Sequence, residues 1–172
     1  MAAWLTPGAI PRIMGPNQSG FSMLKLTKKA DYGLIALRHL ASGQRAASAK
    51  DIADTYGIPL PLLSKILQKL TRAGFLISEQ GIRGGYRLAR EARDISTLEV
   101  IRSIDGPIIL TQCFTEHAQC DQSTRCPVRE PLRKVHEGIL RLLSSITIHD
   151  LTDDHMPIPS LGGLSKIQIT RN

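Results

Sequence analysis

The chain has 172 residues, 42% of them hydrophobic, and its 22 Lys and Arg residues outnumber 15 Asp and Glu residues, which gives a net charge of +7. That length predicts one domain with an appended segment, and the core must be mostly aliphatic because aromatic residues make up only 4%. No apolar run approaches the ~20 residues of a membrane span, so the composition excludes a membrane protein, and the basic balance favours a polyanionic partner.

Residues 1–22 contain several prolines, which interrupt any helix. They also lack the basic start and unbroken apolar run of a signal peptide. Met23 opens the first well-patterned stretch. We therefore expect residues 1–22 to be a disordered tail or an upstream start that the cell does not use.

Capping signals predict two helices at the start of the patterned region. Thr27 is a suitable N-cap for a helix that runs to about Ser42. Ser48 and Asp51 form a capping box that opens a short helix, and Gly57 ends it. The residues of this second helix that are expected to face inward are Ile52, Ala53 and Tyr56.

A third helix and a hairpin follow. Pro59 and Pro61 suit the first turn of a helix, and Gly74 closes it. Then FLISEQ and YRLAR predict two strands joined through the glycine-rich connection GIRGG. The expected fold is mainly α with a small β-hairpin wing, a winged helix-turn-helix in which residues 23–92 bind double-stranded DNA.

The predicted DNA contacts are polar side chains outside the apolar stripes. The third helix offers candidates for the major groove, the hairpin tip a candidate for the minor groove, and two lysines near helix N-termini candidates for phosphate. For each lysine alone, the alternative is a solvated surface position. These candidates are Ser64, Lys65, Gln68, Lys69, Arg83, Lys28 and Lys50.

The second half predicts a cysteine loop between two helices. Ser96 and Glu99 form a capping box for a helix that ends at Gly106. After the loop, apolar residues step by 4, 3, 4, 3 and 4 positions, a seam that favours a partner helix and hence a homodimer, although packing within the same domain remains the alternative. We assign residues 93–155 to the loop and the dimerisation helix, and residues 156–172 to a flexible tail. The seam consists of Val128, Leu132, Val135, Ile139, Leu142 and Ile146.

The only three cysteines, Cys113, Cys120 and Cys126, lie close together, with His117 among them. Clustered thiolates are the donors that iron-sulfur clusters and zinc prefer, and the spacing is wider than the CxxC knuckle of zinc ribbons, so a larger inorganic core fits better. Three thiolates leave one position for another ligand, which favours sensing. The odd number of cysteines favours a reducing compartment, the cytoplasm. Inert thiols, one disulfide with a spare thiol, a thiol switch and zinc remain alternatives.

An enzyme is not expected. Cys113 or Cys120 as nucleophile with His117 as base is the catalytic alternative. The sequence contains no Gly-rich phosphate loop, nucleophile elbow or paired-carboxylate pocket, and it therefore predicts no small-molecule substrate.

Five segments carry a resemblance to a known family. In chain order they are LKLTKKADYGLIAL, DIADTYGIPLPLLSKILQKLTRAGFL, GIRGGYRLAR, STLEVIRSIDG and the cysteine loop. On these segments the chain resembles the BadM/Rrf-type regulators from about residue 23 to 153. This is the family of IscR, NsrR and the regulators of SUF-type iron-sulfur assembly operons. The resemblance implies a homodimeric winged-helix transcription factor whose cluster, held by three cysteines and one other ligand, reports iron-sulfur status, redox stress or nitric oxide.

The resemblance also suggests which residues fill the remaining roles. The histidine ligand of IscR, three residues after the last cysteine, is Arg129 here, and arginine has no free lone pair. The NsrR ligand, an aspartate of the other subunit, matches Asp31, which makes Asp31 the first candidate and His117 the second. The family likeness favours a 2Fe-2S cluster over the 4Fe-4S alternative. Gln80 stands at the wing arginine position and Ser64 at the acidic reader position of IscR-type members, so operator preference should differ.

Overall fold

Three helices, a two-stranded hairpin and two further helices make up the part of the chain that the computed structural model describes, residues 26–43, 46–81, 84–114 and 125–153. Of Gln112, only the backbone belongs to that part. In chain order the elements are α1 (Lys28–Ser42), α2 (Ala49–Tyr56), α3 (Leu60–Arg72), β1 (Leu76–Glu79), β2 (Gly85–Leu88), α4 (Thr97–Asp105) and α5 (Arg129–Ser145). Single 3-10 turns lie at Ala92–Asp94, Gln112–Phe114 and Asp150–Thr152. The predicted fold class is confirmed.

The helix boundaries follow from local capping groups. Thr27 Oγ1 accepts a hydrogen bond from the backbone N–H of Ala30 at 3.3 Å and starts α1. Ser48 and Asp51 form the predicted capping box of α2, and Gly57 ends that helix with a left-handed φ of 63°. These ends lie where the sequence predicts them because a cap acts only on backbone groups within one turn.

The inward-facing prediction for α2 is wrong at one position. Ile52 and Ala53 are buried, whereas Tyr56 is 39% exposed. Its hydroxyl lies 3.3 Å from Nδ1 of His39, and the two rings meet edge to face with centroids 5.6 Å apart. At the last position of a helix, the phenol can cover apolar surface while its hydroxyl keeps a polar partner.

Helices α1 to α4 share one hydrophobic core with a short segment after α5. Gly33 of α1 faces Ile104 of α4 so closely that a Cβ on Gly33 would lie 2.3 Å from Ile104 Cδ1. A glycine therefore allows the two helices to approach each other. The large side chains without exposed surface are aliphatic, as predicted, and comprise Leu37, Ile52, Leu63, Leu67, Leu70, Ile95, Val100 and Ile148.

Backbone contacts attach strand β2 of the hairpin to the connection between α1 and α2. β1 and β2 pair antiparallel, with Leu76 opposite Leu88. Tyr86 exchanges two backbone hydrogen bonds with Ala47, at 2.8 and 3.1 Å. A Cβ on Gly85 would lie 2.4 Å from the carbonyl oxygen of Ala47, so the bridge requires glycine there. The hairpin is thus oriented relative to the start of α2.

The chain returns to the core after α5, which the sequence analysis did not anticipate. The backbone N–H of Ile148 donates to the carbonyl oxygen of Ile95 at 2.8 Å, and the Ile148 side chain is fully buried. The hydroxyl of Thr97 on α4 donates to the carbonyl oxygen of Leu143 on α5 at 2.6 Å. The C-terminal end of α5 is therefore attached to α4 by both polar and apolar contacts.

The segments predicted as residues 23–92 and 93–155 both contribute to this core. Nε of Arg38 on α1 donates to the carbonyl oxygen of Leu151 at 2.7 Å, and Leu151 packs against the core. The functional division between the two segments stays a prediction. The predicted tails, residues 1–22 and 156–172, lie outside the described residues.

The apolar seam of helix α5 is partly exposed. None of its 17 residues is buried, and Val135 is 52% exposed. Val128, immediately before the helix, is 54% exposed. Leu143, which lies beside the seam, packs against the core. Among the described helices, α5 included, none has the length and apolar character needed to cross a bilayer.

Candidate DNA-binding surface and metal centre

One face of α3 is polar and accessible. Lys65 and Gln68 are exposed and Ser64 is half-buried, while the opposite face packs into the core. Amide, hydroxyl and ammonium groups on the exposed face of a helix are the groups that contact base edges and phosphates. The buried residues of α3 are Leu63, Ile66, Leu67 and Leu70.

Lys69 has a partner within the protein. Its Nζ donates to the carbonyl oxygen of Ile104 at 2.8 Å, and this contact is partly buried. Ile104 belongs to the last turn of α4, where carbonyl groups lack partners within the helix and the helix dipole favours a cation. Of the four predicted contacts on α3, Lys69 is thus the one that also joins two helices.

The two lysines predicted to contact phosphate lie in the first turns of helices. Lys28 is the first residue of α1 and Lys50 the second of α2, and both are exposed. Helix N-termini favour anions, so the lysine charge and the helix dipole act in the same direction. Hydrogen bonds from the Ser48 hydroxyl and backbone hold the pKa of Asp51 below its ordinary value, which keeps this capping carboxylate ionised near Lys50.

Two predicted DNA contacts belong to the hairpin. Gln80 is exposed directly after β1, while Arg83 lies outside the described residues.

The hairpin and the residues after it also carry two arginines that were not predicted as contacts. Arg87 on β2 forms an ion pair with Glu79 across the hairpin. Arg90 lies over the Phe75 ring, 5.2 Å from its centroid. Cross-strand pairing of Arg87 is visible only once the strand register is known.

Two of the three cysteines lie in the described residues, one on each side of the segment that carries the third. Cys113 is in the 3-10 turn after α4, and Cys126 precedes α5. Both are half-buried free thiols, and the Thr111 hydroxyl lies 2.9 Å from the Cys113 sulfur. Free, partly shielded thiols on a connection between helices fit the donor set that iron-sulfur clusters need. Cys120 and His117 lie outside the described residues.

Among the described residues no group of three or more His, Cys, Asp or Glu side chains is arranged to hold a metal ion. Asp31, the first candidate for the fourth ligand, is exposed in the first turn of α1. The N-cap of that helix is bound to α4, because Thr27 donates to the carboxylate of Asp105 from its hydroxyl at 2.7 Å and from its backbone N–H at 3.3 Å. The start of α1 therefore lies beside the end of α4, after which residues 107–127, called the cysteine-bearing segment below, follow in the chain.

A contact that sequence reasoning missed joins the cysteine-bearing segment to α5. Phe114, next to Cys113, stacks on His136 with ring centroids 5.3 Å apart and an angle of 28° between the planes. Nδ1 of His136 is buried and has no hydrogen-bond partner among the described residues. The only available signal was the position of His136 directly after Val135 of the seam. The turn that holds Cys113 thus packs against the proposed dimerisation helix.

Comparison with known proteins gives one family. A model of Rrf2, an iron-dependent transcriptional regulator, matches residues 26–154. The structure of CymR, the global cysteine regulator of B. subtilis, is similar at 30% identity and a TM-score of 0.64, covering 76% of this chain and 97% of that one. T. potens IscR is similar at 33% identity and a TM-score of 0.58, covering 74% and 85%. A transcriptional regulator structure from Listeria innocua gives 27% identity and a TM-score of 0.66, covering 87% and 100%.

These similarities agree with the geometry of the molecule. The family match includes all the described helices and the hairpin. Members of this family are transcriptional regulators rather than enzymes. The chain is therefore a DNA-binding winged-helix regulator, and it belongs to the Rrf2 family of transcriptional regulators.

Proposed function

We propose that this regulator senses iron-sulfur cluster status, or redox or nitric oxide stress, through a bound iron-sulfur cluster and controls SUF-type iron-sulfur assembly genes in the cytoplasm. One observation carries the proposal. Cys113 and Cys126 are half-buried free thiols on either side of the segment with Cys120, and the turn of Cys113 packs on α5 through Phe114 and His136. A change in that segment therefore has a physical route to other helices.

The ligands we propose are the thiolates of Cys113, Cys120 and Cys126. The fourth ligand is Asp31, contributed by the second subunit, or His117. A 2Fe-2S cluster is favoured and a 4Fe-4S cluster is the alternative. Such a group supplies a redox-active inorganic core that oxygen and nitric oxide attack. The donor set supports this assignment, because sulfur ligands suit iron and one non-cysteine ligand makes a site responsive.

Coupling to DNA requires that the cysteine-bearing segment contacts an element whose position matters for binding, because a ligand shifts an equilibrium only by its difference in affinity for two states. Residues 107–114 continue from the end of α4, and α4 packs on both α1 and α3. Phe114 contacts α5 at the same time. We infer that the state of the segment changes the placement of α3 and the angle of α5 together.

The proposal is tested by preparing the protein without oxygen and measuring iron, sulfide, visible absorption and Mössbauer spectra. We expect a coloured protein with one cluster per subunit, and the Cys120→Ala variant should lose the colour and change its affinity for operator DNA. Ser123→Ala, in the same segment, is the matched control and should retain both properties. Colourless, iron-free preparations after attempted reconstitution would refute cluster sensing.

The homodimer is the second part of the proposal, and the exposed seam of α5 supports it. We expect Val135→Glu to yield a monomer in light scattering and to weaken operator binding, since winged-helix dimers contact two half-sites. Ser144→Glu adds the same charge at an exposed position of α5 outside the seam, and it should remain dimeric. A dimeric Val135→Glu variant would contradict the assignment of this face.

A cluster-free regulator is the second candidate function, favoured by the similarity to a regulator described by its role in cysteine control. In that case Cys113, Cys120 and Cys126 act as a thiol switch or hold zinc. Zinc gives a colourless protein with stoichiometric metal. A thiol switch gives a metal-free protein whose DNA affinity responds reversibly to oxidants and thiols.

A further inference from the structure

The C-terminal end of α4 is a junction of three helices. Lys69 of α3 donates to the carbonyl oxygen of Ile104 at 2.8 Å. One residue later, the carboxylate of Asp105 accepts two hydrogen bonds from Thr27 at the start of α1. We refer to these four residues, Thr27, Lys69, Ile104 and Asp105, as the α4 junction. It joins the start of α1 and the last turn of α3 to one helix end.

The junction is packed as well as hydrogen-bonded. Ile104 is 7% exposed and its Cδ1 fills the space that a side chain at Gly33 would need. A shift of the α4 end therefore meets packed atoms rather than empty space next to α1, and it changes the distance between Lys69 and its acceptor unless α3 or the lysine side chain follows. The ammonium is well suited to this place, because the last carbonyl groups of a helix lack internal partners and carry partial negative charge.

The cysteine-bearing segment starts at the same place. Gly106 follows the junction directly with φ 85°, a conformation that turns the chain away from the helix axis. The chain then reaches Cys113 within seven residues. On α3, Lys69 lies one helical turn after Lys65, on the helix whose polar face is exposed. One side chain thus connects the origin of the cysteine-bearing segment with the helix that reads DNA.

We propose that Lys69 is a positioning residue, which holds the C-terminal half of α3 against the α4 junction and relays the state of the cysteine-bearing segment to the DNA-reading side chains. The relay rests on the sensing function proposed above, whereas the positioning role does not. Lys69 acts through α3 and its loss misplaces the groups that read bases. A lysine that contacts phosphate acts instead through its charge on any DNA sequence.

Salt dependence of DNA binding separates these two roles. The probes are a duplex selected by the wild-type protein from a random library and a shuffled duplex of the same composition. We expect Lys69→Met to weaken the selected duplex about tenfold, the loss that one hydrogen bond from a charged donor supplies. The slope of log affinity against log salt and the affinity for the shuffled duplex should stay unchanged. The positioning role is overturned if Lys69→Met lowers the magnitude of the salt slope by about 0.9, the value for one phosphate contact, and weakens binding to both duplexes equally.

Lys65→Met is the matched control, because it removes the same charge one turn earlier on the exposed face of α3. A phosphate contact by Lys65 lowers the salt slope and weakens both duplexes. Asp105→Ala opens the junction from the α1 side and serves if Lys69→Met does not fold. We expect it to weaken the selected duplex without changing the salt slope, and the double variant to lose no more than the larger single loss. If the affinity losses of the two single variants add in the double variant, the α4 junction does not act as one unit.

The relay is tested with the same duplexes on protein prepared without oxygen and on chelator-stripped protein. For the selected duplex, we expect the affinities of the two protein preparations to differ in the wild type. In Lys69→Met, the ratio of these two affinities should approach one. A wild-type ratio of one would refute sensing and the relay together, while the salt slopes still decide whether Lys69 positions α3. An unaltered ratio in Lys69→Met would overturn the relay alone.

Discussion

Replacing Gly85 with alanine should detach strand β2 from the connection between α1 and α2. A Cβ at this position would lie 2.4 Å from the carbonyl oxygen of Ala47 and 2.6 Å from its carbonyl carbon, and backbone atoms cannot yield as a flexible side chain can. The two hydrogen bonds between Ala47 and Tyr86 must then break. At about 0.5 to 1.5 kcal/mol each, their loss costs about 1 to 3 kcal/mol. Alanine restricts the unfolded chain and returns about 0.4 to 1 kcal/mol, so the central values of about 2 and about 0.7 kcal/mol leave a net destabilisation of about 1.3 kcal/mol.

Urea unfolding followed by far-UV circular dichroism measures this difference as a lower midpoint with an unchanged m-value. Ser78→Ala in the same hairpin is the control, because Ser78 is exposed and a surface change of this kind stays within about 0.5 kcal/mol. DNA affinity of Gly85→Ala should fall as well, since the wing loses its orientation relative to α2. A Gly85→Ala variant as stable as the wild type would refute the reasoning that the wing is anchored through Ala47.

Three further predictions concern the second half of the chain. Ile148→Ala should lower the free energy of unfolding by about 2 to 5 kcal/mol in the same assay, because this side chain is fully buried, and a change below about 0.5 kcal/mol would contradict its place in the core. Thr97→Val should cost about 1 to 2 kcal/mol because it leaves the carbonyl of Leu143 without its donor, whereas Thr71→Val, whose hydroxyl bonds within its own helix, should cost less. The pKa of Glu99 is lowered by the capping backbone N–H at the start of α4, so its contribution to stability is present above the ordinary pKa of 4.5 and is lost as the pH falls through the folded-state value. Glu99→Gln should therefore show a shallower loss of stability on acidification below pH 4.5, and an unchanged pH profile would contradict this.

Local signals explain why the helix order was predictable. The capping boxes at Ser48 and Ser96 act on backbone groups within one turn, and the structure has both. The prolines and glycines at the two ends of α3 also act within about one helical turn. Features of this kind require no knowledge of the fold.

The return of the chain to the core was not predictable, because it depends on a partner far away in sequence. Ile148 alternates with polar residues between Ile146 and Leu151, and only its pairing with Ile95 explains its burial. The same holds for Lys69, whose spacing on α3 is that of a surface residue while its ammonium reaches Ile104. Periodicity identifies the face of a helix but not which neighbouring helix end it meets.

The candidate metal centre was likewise predictable only in part. The three cysteines lie close together in the sequence, and the prediction of an iron-sulfur cluster follows from that spacing. The stacking of Phe114 on His136 joins residues separated by a cysteine-bearing segment and a helix start, and no sequence pattern indicates it. The contact that links the site to α5 therefore emerged only from the fold.

The C-terminal end of α5 is attached to α4 through Leu143 and the residues after it, and its N-terminal end starts three residues after Cys126. With 17 residues it is about 25 Å long, so a swing of about 5° about its C-terminal end displaces its N-terminal end by about 2 Å. Displacements of that size are typical of helix shifts at subunit interfaces. In the proposed dimer, a lever of this length would let a slight rearrangement at the cysteine sulfur atoms alter the separation between the two α3 helices, and hence how well they match the helical repeat of DNA.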